Sequence, residues 1–492
     1  MRHFASITEM SPSAAWQTLA EMDIAGITAD SRQVAPGDLF VALPGHRVDG
    51  RRYIGDAVAR GAAAILAPTG TPWPDGVPRR PMIVDVEPRR SLARLAAVFA
   101  GPQPDQVVAV TGTNGKTSTV EFVRQLTELA GQRAASLGTL GLIAPGFDPG
   151  PGLTTPDPVS LAESLAGLAR AGIRRVALEA SSHGLDQFRL DGVTLAAAAF
   201  TNLTRDHLDY HGTIEAYRHA KLRLFRTLLP AGAPAIVHAG VDTDTMTALR
   251  GIARERGLEL RIVGEGGDFY RLIQATPRPD GQILTIEAAG IRRDIVLPLP
   301  GRFQADNVLL AAALAEAMGD ADPLSRLPHL TGVRGRMERA AILPNGATVY
   351  VDYAHTPDAL ERLLLALRPH TEGRLLVVFG AGGDRDRGKR PLMGAAAIRL
   401  ADVAIVTDDN PRSEDPAAIR AEIRAACPDA IEIGDRAQAI EAALSMLRPG
   451  DVLTVAGKGH EQGQTIGDTV IPFDDVGAVR ALVQATGPEG VG

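Results

Sequence analysis

The chain has 492 residues, a net charge of −7, one cysteine and few aromatic residues (4%). At roughly 150 residues per domain that length accommodates three domains, with cores built mostly of Ala, Leu and Val. No basic stripe points to nucleic acid, no apolar run has membrane-spanning length, and the start Met1-Arg2-His3-Phe4 lacks the apolar core of a signal peptide. Cys427 alone excludes a disulfide framework and a cysteine-rich metal site. A soluble, cytoplasmic, monomeric α/β protein acting on small molecules is expected, with no nucleic-acid or membrane partner.

Residues 1–88 form the first unit. Asp38 to Leu43 reads as a strand ending in the turn Pro44-Gly45-His46. A helical stretch from Arg51 to Arg60 leads to strands Ala62 to Ala67 and Met82 to Val86, separated by a Pro- and Gly-rich loop. The unit has no catalytic cluster of its own.

Residues 89–338 form the second unit, opened by a helix from Arg89 to Ala100. The apolar run Val107 to Val110 feeds Thr111-Gly112-Thr113-Asn114-Gly115-Lys116-Thr117-Ser118, and a helical pattern follows from Thr119 with Val120, Val123 and Leu126 on one face. Strand, glycine-rich loop, Lys-Thr and helix make a phosphate cradle: loop amides and a helix N-terminus face an anion, Lys116 reaches the terminal phosphates, and the Thr117 hydroxyl suits Mg²⁺. The first glycine of the common phosphate-loop pattern is absent; Val110 stands there. Glu179 ends the strand from Arg174, where nucleotide-binding α/β folds hold a metal. A further strand, Ala196 to Asn202, runs into the polar cluster Arg205-Asp206-His207-Leu208-Asp209-Tyr210-His211. The next helix, Thr213 to Leu228, carries Lys221 inside its apolar stripe. Such a lysine can snorkel to water, pair with a carboxylate, or lose its proton by desolvation and add CO₂ to become an anionic carbamate. The stripe alone favours snorkelling. Three alternating runs between Phe269 and Leu297 read as an antiparallel meander. Asn307 opens a Leu/Ala-rich helix, and Gly332 to Glu338, with two arginines, reads as a hinge and phosphate contact.

Residues 339–492 alternate strand and helix as a second doubly wound domain. Strands Thr348 to Asp352, Leu375 to Gly380, Asp402 to Thr407 and Asp451 to Ala456 precede helices near Pro357, Arg390, Pro416 and Asp435. Loops 382–390, 408–412 and 457–461 follow strand ends, where such sheets bind ligands. Their mixture of Arg with Asp and Glu suits a small zwitterion.

The loop Thr111 to Thr117, Asp206-His207-Leu208-Asp209 with Lys221, and Asp352-Tyr353-Ala354-His355-Thr356-Pro357 resemble motifs of the Mur ligases, whose ATP loop also lacks the first glycine. The resemblance covers essentially the whole chain. Asp409-Asn410-Pro411-Arg412 is similar to the signature of members that add meso-2,6-diaminopimelate rather than L-lysine to UDP-N-acetylmuramoyl-L-Ala-D-Glu. The resemblance implies an N-terminal UDP-binding domain, a central ATPase domain with a parallel sheet and a C-terminal Rossmann-like domain. It also implies ATP, Mg²⁺ and a lysine carbamate. Gly112, Thr113, Asn114, Gly115, Lys116, Thr117, Ser118, Asn307 and Arg336 would contact ATP. Thr117, Glu179, His207 and carbamylated Lys221 would serve Mg²⁺, with Lys116, Lys221, His207 and Glu179 as the catalytic set. Ser31, His46, Arg47, Val48, Thr154, Thr155, Ser181, Gln187 and Arg189 would hold the UDP-muramoyl dipeptide. Arg385, Asp409, Asn410, Pro411, Arg412, Gly457 and Glu461 would hold diaminopimelate. Gln304 and Leu153 depart from residues common in the family. The competing readings are an L-lysine-adding relative, a folylpolyglutamate-synthase-like ligase, and a phosphate-loop ATPase that moves a protein partner.

Overall fold

A computed structural model describes residues 22–45, 48–150 and 152–485. They fall into two compact units: residues up to Ile262 with Leu310–Ala321, and Val263–Leu309 with the chain from Asp322 onward.

The first unit holds two sheets. The smaller has strands β1 (Ile27–Thr28), β2 (Leu39–Val41), β3 (Ala64–Pro68) and β4 (Met82–Asp85), paired in sequence order and all parallel. One face packs Leu39, Val41, Leu66 and Ile83 against Leu92, Leu95 and Phe99 of the helix Pro88–Ala100. The larger sheet uses β5 (Gln106–Thr111), β6 (Ala134–Gly138), β7 (Gly141–Ile143), β8 (Arg175–Glu179), β9 (Ala197–Phe200), β10 (Pro234–His238) and β11 (Glu259–Gly264), in the order β11-β10-β9-β5-β8-β6-β7. β5 lies between β8 and β9, parallel to both. Its residues Val107 to Val110 are buried throughout, as a strand covered on both faces requires.

Because β5, β8 and β9 run parallel, their carboxyl ends share one edge of the sheet. The loop after β5, Glu179 and the segment after β9 therefore meet there. The helix after the glycine-rich loop starts at Lys116, earlier than the apolar periodicity indicates, and runs to Leu129. The helix bearing Lys221 is α-helical over Ile214–Arg223 and widens to a π turn over Leu224–Leu228.

In the second unit, β12 (Tyr270–Arg278), β13 (Gly281–Ala288) and β14 (Ile291–Leu297) form the expected antiparallel meander. The helix expected to open at Asn307 begins five residues earlier, spanning Arg302–Ala317; Gln304 and Asn307 thus lie on one helix face. A six-stranded sheet contains β15 (Glu338–Ile342), β16 (Thr348–Asp352), β17 (Leu375–Phe379), β18 (Val403–Val406), β19 (Ile431–Glu432) and β20 (Val452–Ala456), in the order β15-β16-β20-β17-β18-β19. All its pairings are parallel except β15 with β16. Thr356, Asp415 and Asp435 cap the helices that follow by accepting first-turn amides, and proline opens two of these helices. The hairpin β21 (Gly463–Ile466) and β22 (Thr469–Pro472) completes the unit before a last helix, Asp475–Ala485.

That helix is fastened by an ion pair between Arg436 and Asp475 with no exposed side-chain surface on either partner: Nε donates to Oδ1 at 2.7 Å and Nη2 to Oδ2 at 2.7 Å. Arg436 Nη2 also donates to the Ala456 carbonyl at the end of β20. Removing one partner strands a buried charge. Arg436→Met should therefore cost about 3–5 kcal/mol in denaturant unfolding, and the double change Arg436→Met/Asp475→Leu clearly less. A single variant as stable as the parent would contradict this account.

Candidate active site

The glycine-rich loop turns at Gly112, whose φ of 140° favours glycine. A Cβ there would run into Thr201 Oγ1 and the Asn202 backbone, so glycine lets β5 end against the segment after β9. Thr113 N donates to Asn202 O at 2.9 Å and Asn114 N to Asn202 Oδ1 at 3.0 Å. The helix begins behind Gly115, a left-handed N-cap without a side-chain acceptor, which leaves its first turn open to an anion.

Two lysines converge on this loop. Lys116 Nζ donates to the Thr113 carbonyl at 2.8 Å and to the Gly112 carbonyl at 3.1 Å. Lys221 Nζ donates to the same Gly112 carbonyl at 2.7 Å. Snorkelling, favoured by the helix pattern, is overturned: Lys221 is 1% exposed and lies over the Tyr217 ring, 4.3 Å from its centre. The middle of the helix, Tyr217, Lys221, Leu224 and Phe225, is packed against protein rather than open to water. Burial, then the neighbouring Lys116 charge, pushes the Lys221 amine well below its ordinary pKa. Tyr217, one turn before Lys221, bonds through its hydroxyl with Thr113 Oγ1 at 3.2 Å, and burial raises its phenol to about 12. It is a supporting residue that sequence reasoning assigned only to the apolar stripe.

Glu179 faces the loop from β8. Its Oε1 accepts from the Thr117 hydroxyl at 2.9 Å and from Thr139 N at 2.8 Å. Its Oε2 is buried with no hydrogen-bond partner. A hydroxyl and a buried carboxylate with a spare oxygen are hard donors that fit Mg²⁺. His207 is placed differently. It has φ 52°, its side chain is about half exposed (48%), and its Nε2 lies 3.4 Å from Asp206 Oδ2. Its ring meets His183 edge-on at 4.9 Å in a cluster with Tyr210, His211 and Tyr217. Burial lowers the pKa values of His183 and His211. Among the described residues no three His, Cys, Asp or Glu side chains are grouped closely enough to hold a metal.

The residues expected to hold the dipeptide form one chain of bonds beside Glu179. Thr155 Oγ1 donates to the Glu179 carbonyl at 2.9 Å and accepts from Ser181 N at 3.0 Å. Arg189 donates to Thr155 O at 2.6 Å and Gln187 Oε1 at 2.8 Å, and Gln187 donates on to Tyr210. Thr154 and Thr139 share a hydroxyl bond at 3.0 Å. Ser31 and Val48 lie apart from this network, in the loops after the carboxyl ends of neighbouring strands β1 and β2, with Leu153 and Val48 exposed. His46 and Arg47 fall outside the described residues.

In the second unit Asn307 Nδ2 donates to Gln304 Oε1 at 3.0 Å, so Gln304 orients Asn307. The Arg336 guanidinium lies 4.8 Å from the Tyr353 ring centre. The three polar loops of the six-stranded sheet do come together. Asn410 Nδ2 donates to Glu461 Oε2 at 2.9 Å, and Arg412 Nη1 to Gly383 O at 2.7 Å. Arg412 adopts φ 52°, Gly457 backs onto Asp409, and Arg385 is exposed beside Gly382. Pro411 O lies against Gly383. Beneath them, buried Arg390 holds both oxygens of Glu414 at 2.8 and 3.0 Å, and this pairing draws the Glu414 carboxyl down to about 2.

Known proteins share this organisation. The Mur ligase family catalytic domain matches residues 23–100, the Mur ligase middle domain residues 110–315, and the Mur ligase glutamate ligase domain residues 335–459. The UDP-N-acetylmuramoyl-L-alanyl-D-glutamate–2,6-diaminopimelate ligase of Caulobacter vibrioides is 56% identical over 463 residues, 92% of this chain and 94% of the relative. That of Rhizobium meliloti is 53% identical, covering 94% of each. A solved structure of a ligase of the same name superposes with a TM-score of 0.73 at 33% identity over 97% of this chain and 98% of the other. With the phosphate loop, the buried strand-end carboxylate and these matches together, the chain belongs to the Mur ligase family.

Proposed function

We propose that the chain is an ATP-dependent amide ligase. It joins an amine of meso-2,6-diaminopimelate to the D-glutamyl side-chain carboxylate of UDP-N-acetylmuramoyl-L-Ala-D-Glu, a cytoplasmic step of peptidoglycan precursor synthesis. The names of the similar relatives support the choice of substrates. Among the described residues no helix is long and apolar enough to cross a membrane. The observation that carries the phosphoryl-transfer reading is Thr117, next to Lys116 in the loop, bonded to a buried Glu179 whose second oxygen has no hydrogen-bond partner. In this reading residues 1–88 receive the UDP portion, 89–338 the ATP, and 339–492 the amino acid.

The reaction passes the γ-phosphoryl group of ATP to the D-glutamyl carboxylate, and the acceptor amine then displaces phosphate from the acyl phosphate. Gly112 to Ser118 hold the phosphates; Lys116, swinging from the loop carbonyls to the nucleotide, offsets the charge that develops. Asn307 and Arg336 contact the nucleotide. Thr117 and Glu179 would hold Mg²⁺, with His207 and carbamylated Lys221 completing the metal set. Bound there, Mg²⁺ supplies positive charge to the transferring phosphoryl group. Thr154, Thr155, Ser181, Gln187 and Arg189 hold the dipeptide; Ser31 and the 46–48 turn hold the uridine nucleotide. Arg385, Arg412 and Asn410 receive carboxylates of diaminopimelate, and Asp409 and Glu461 an ammonium.

Phosphate release from ATP in the presence of the UDP-dipeptide tests the whole reading. Release with diaminopimelate but not with L-lysine is expected. Release with lysine instead overturns the acceptor, and equal release without amine favours a plain ATPase. Lys221→Ala should lower turnover by roughly a hundredfold or more, with partial recovery in formate or acetate; an undiminished rate would remove the carbamate from the scheme. Arg412→Ala should narrow the preference for diaminopimelate over lysine by roughly tenfold, because the second carboxylate loses its partner. Parallel kcat/KM measurements with the two amines decide it.

A further inference from the structure

Lys458 belongs to none of the groups above, yet it lies at the centre of the acceptor loops. It is fully buried (0% exposed) directly after Gly457. Its Nζ donates to Asn410 Oδ1 at 3.0 Å and stands 3.6 Å from both Asp409 Oδ1 and Glu461 Oε2. A second donor, Thr465 N on β21, reaches the same Asn410 oxygen at 2.9 Å.

An ammonium and a backbone N–H can only donate, so the Asn410 atom between them must be the oxygen. The carboxamide nitrogen is thereby turned to Glu461 Oε2, and its second hydrogen remains for a ligand. Lys458 also stands between two adjacent carboxylates, Asp409 and Glu461, and offsets part of their charge. Asp409 Oδ1 is buried without a hydrogen bond, so this ion pair is its compensation.

We propose that Lys458 is a positioning residue for acceptor selection: it locks Asn410 as a hydrogen-bond donor, so that the loop takes a carboxylate at that point and an ammonium beside Glu461. An amino acid bearing a second carboxylate is matched; one that lacks it leaves the Asn410 hydrogen without an acceptor. This inference rests on the acceptor reading above.

The test compares wild type, Lys458→Met and Asn410→Asp in the phosphate-release assay, varying diaminopimelate or L-lysine, with thermal melts of each protein. Wild type must use diaminopimelate; if it uses lysine, the acceptor reading itself has failed. Given that, Lys458→Met should raise KM for diaminopimelate roughly tenfold or more and shrink its advantage over lysine, while KM for ATP and for the UDP-dipeptide stays unchanged. Asn410→Asp should act in the same direction, because an acceptor then faces both Glu461 and the ligand carboxylate. A folded Lys458→Met with wild-type KM and preference overturns the inference. Should Lys458→Met lose its cooperative melt, Asn410→Asp decides: retention of wild-type KM and preference overturns the assigned amide orientation.

Discussion

One backbone carbonyl, that of Gly112, gathers the chemistry of the first unit. It accepts from Lys116 and Lys221 together, bringing two amines to a single oxygen within the phosphate loop. The arrangement holds because Gly112 has no side chain to collide with Thr201 and Asn202. Crowding then makes the two lysines unequal. Lys116 is only partly buried, held by the Gly112 and Thr113 carbonyls. Lys221, sealed against Tyr217 and beside another cation, is pushed toward the neutral amine. Two identical side chains thereby acquire different electrostatic character.

The second unit solves a similar problem with ion pairs rather than a loop. Arg390 with Glu414, Arg436 with Asp475 and Lys458 with Asp409 are buried cations sitting under loops at strand ends. Each fixes a segment whose outer face must remain polar and open to solvent. Apolar packing could not do this there, since the loops carry too few apolar side chains to bury.

Much of this was legible in the sequence. The phosphate loop, the strand ending at Glu179, the meander and the alternating C-terminal half announce themselves by glycine spacing and by apolar runs of strand length. The convergence of loops 382–390, 408–412 and 457–461 follows from parallel strands alone. What escaped reading has physical causes. β6 is made of Ala134-Ala135-Ser136-Leu137-Gly138, with no β-branched residue to mark a strand. The helix Arg302–Ala317 starts with polar residues, so its first turn resembles loop. The helix pattern alone pointed Lys221 to water, because periodicity reports which face is apolar but not what covers it; only the family resemblance favoured a buried role. Lys458 is hidden for the converse reason: a lysine between two glycines in a polar loop looks solvated until the loops are folded over it.

Thr155 has a consequence for how the substrates meet. Its hydroxyl holds the Glu179 carbonyl and the Ser181 amide, while the Glu179 side chain holds Thr117 of the phosphate loop. In the proposed reading, the dipeptide side and the phosphate side thus lean on opposite faces of a single residue. Whatever tightens Glu179 from one side pre-orders it for the other, and by thermodynamic reciprocity the benefit is equal in both directions. In the proposed reading the strand end acts as a crossbar, so that a compound held on one side would change the affinity on the other without touching it.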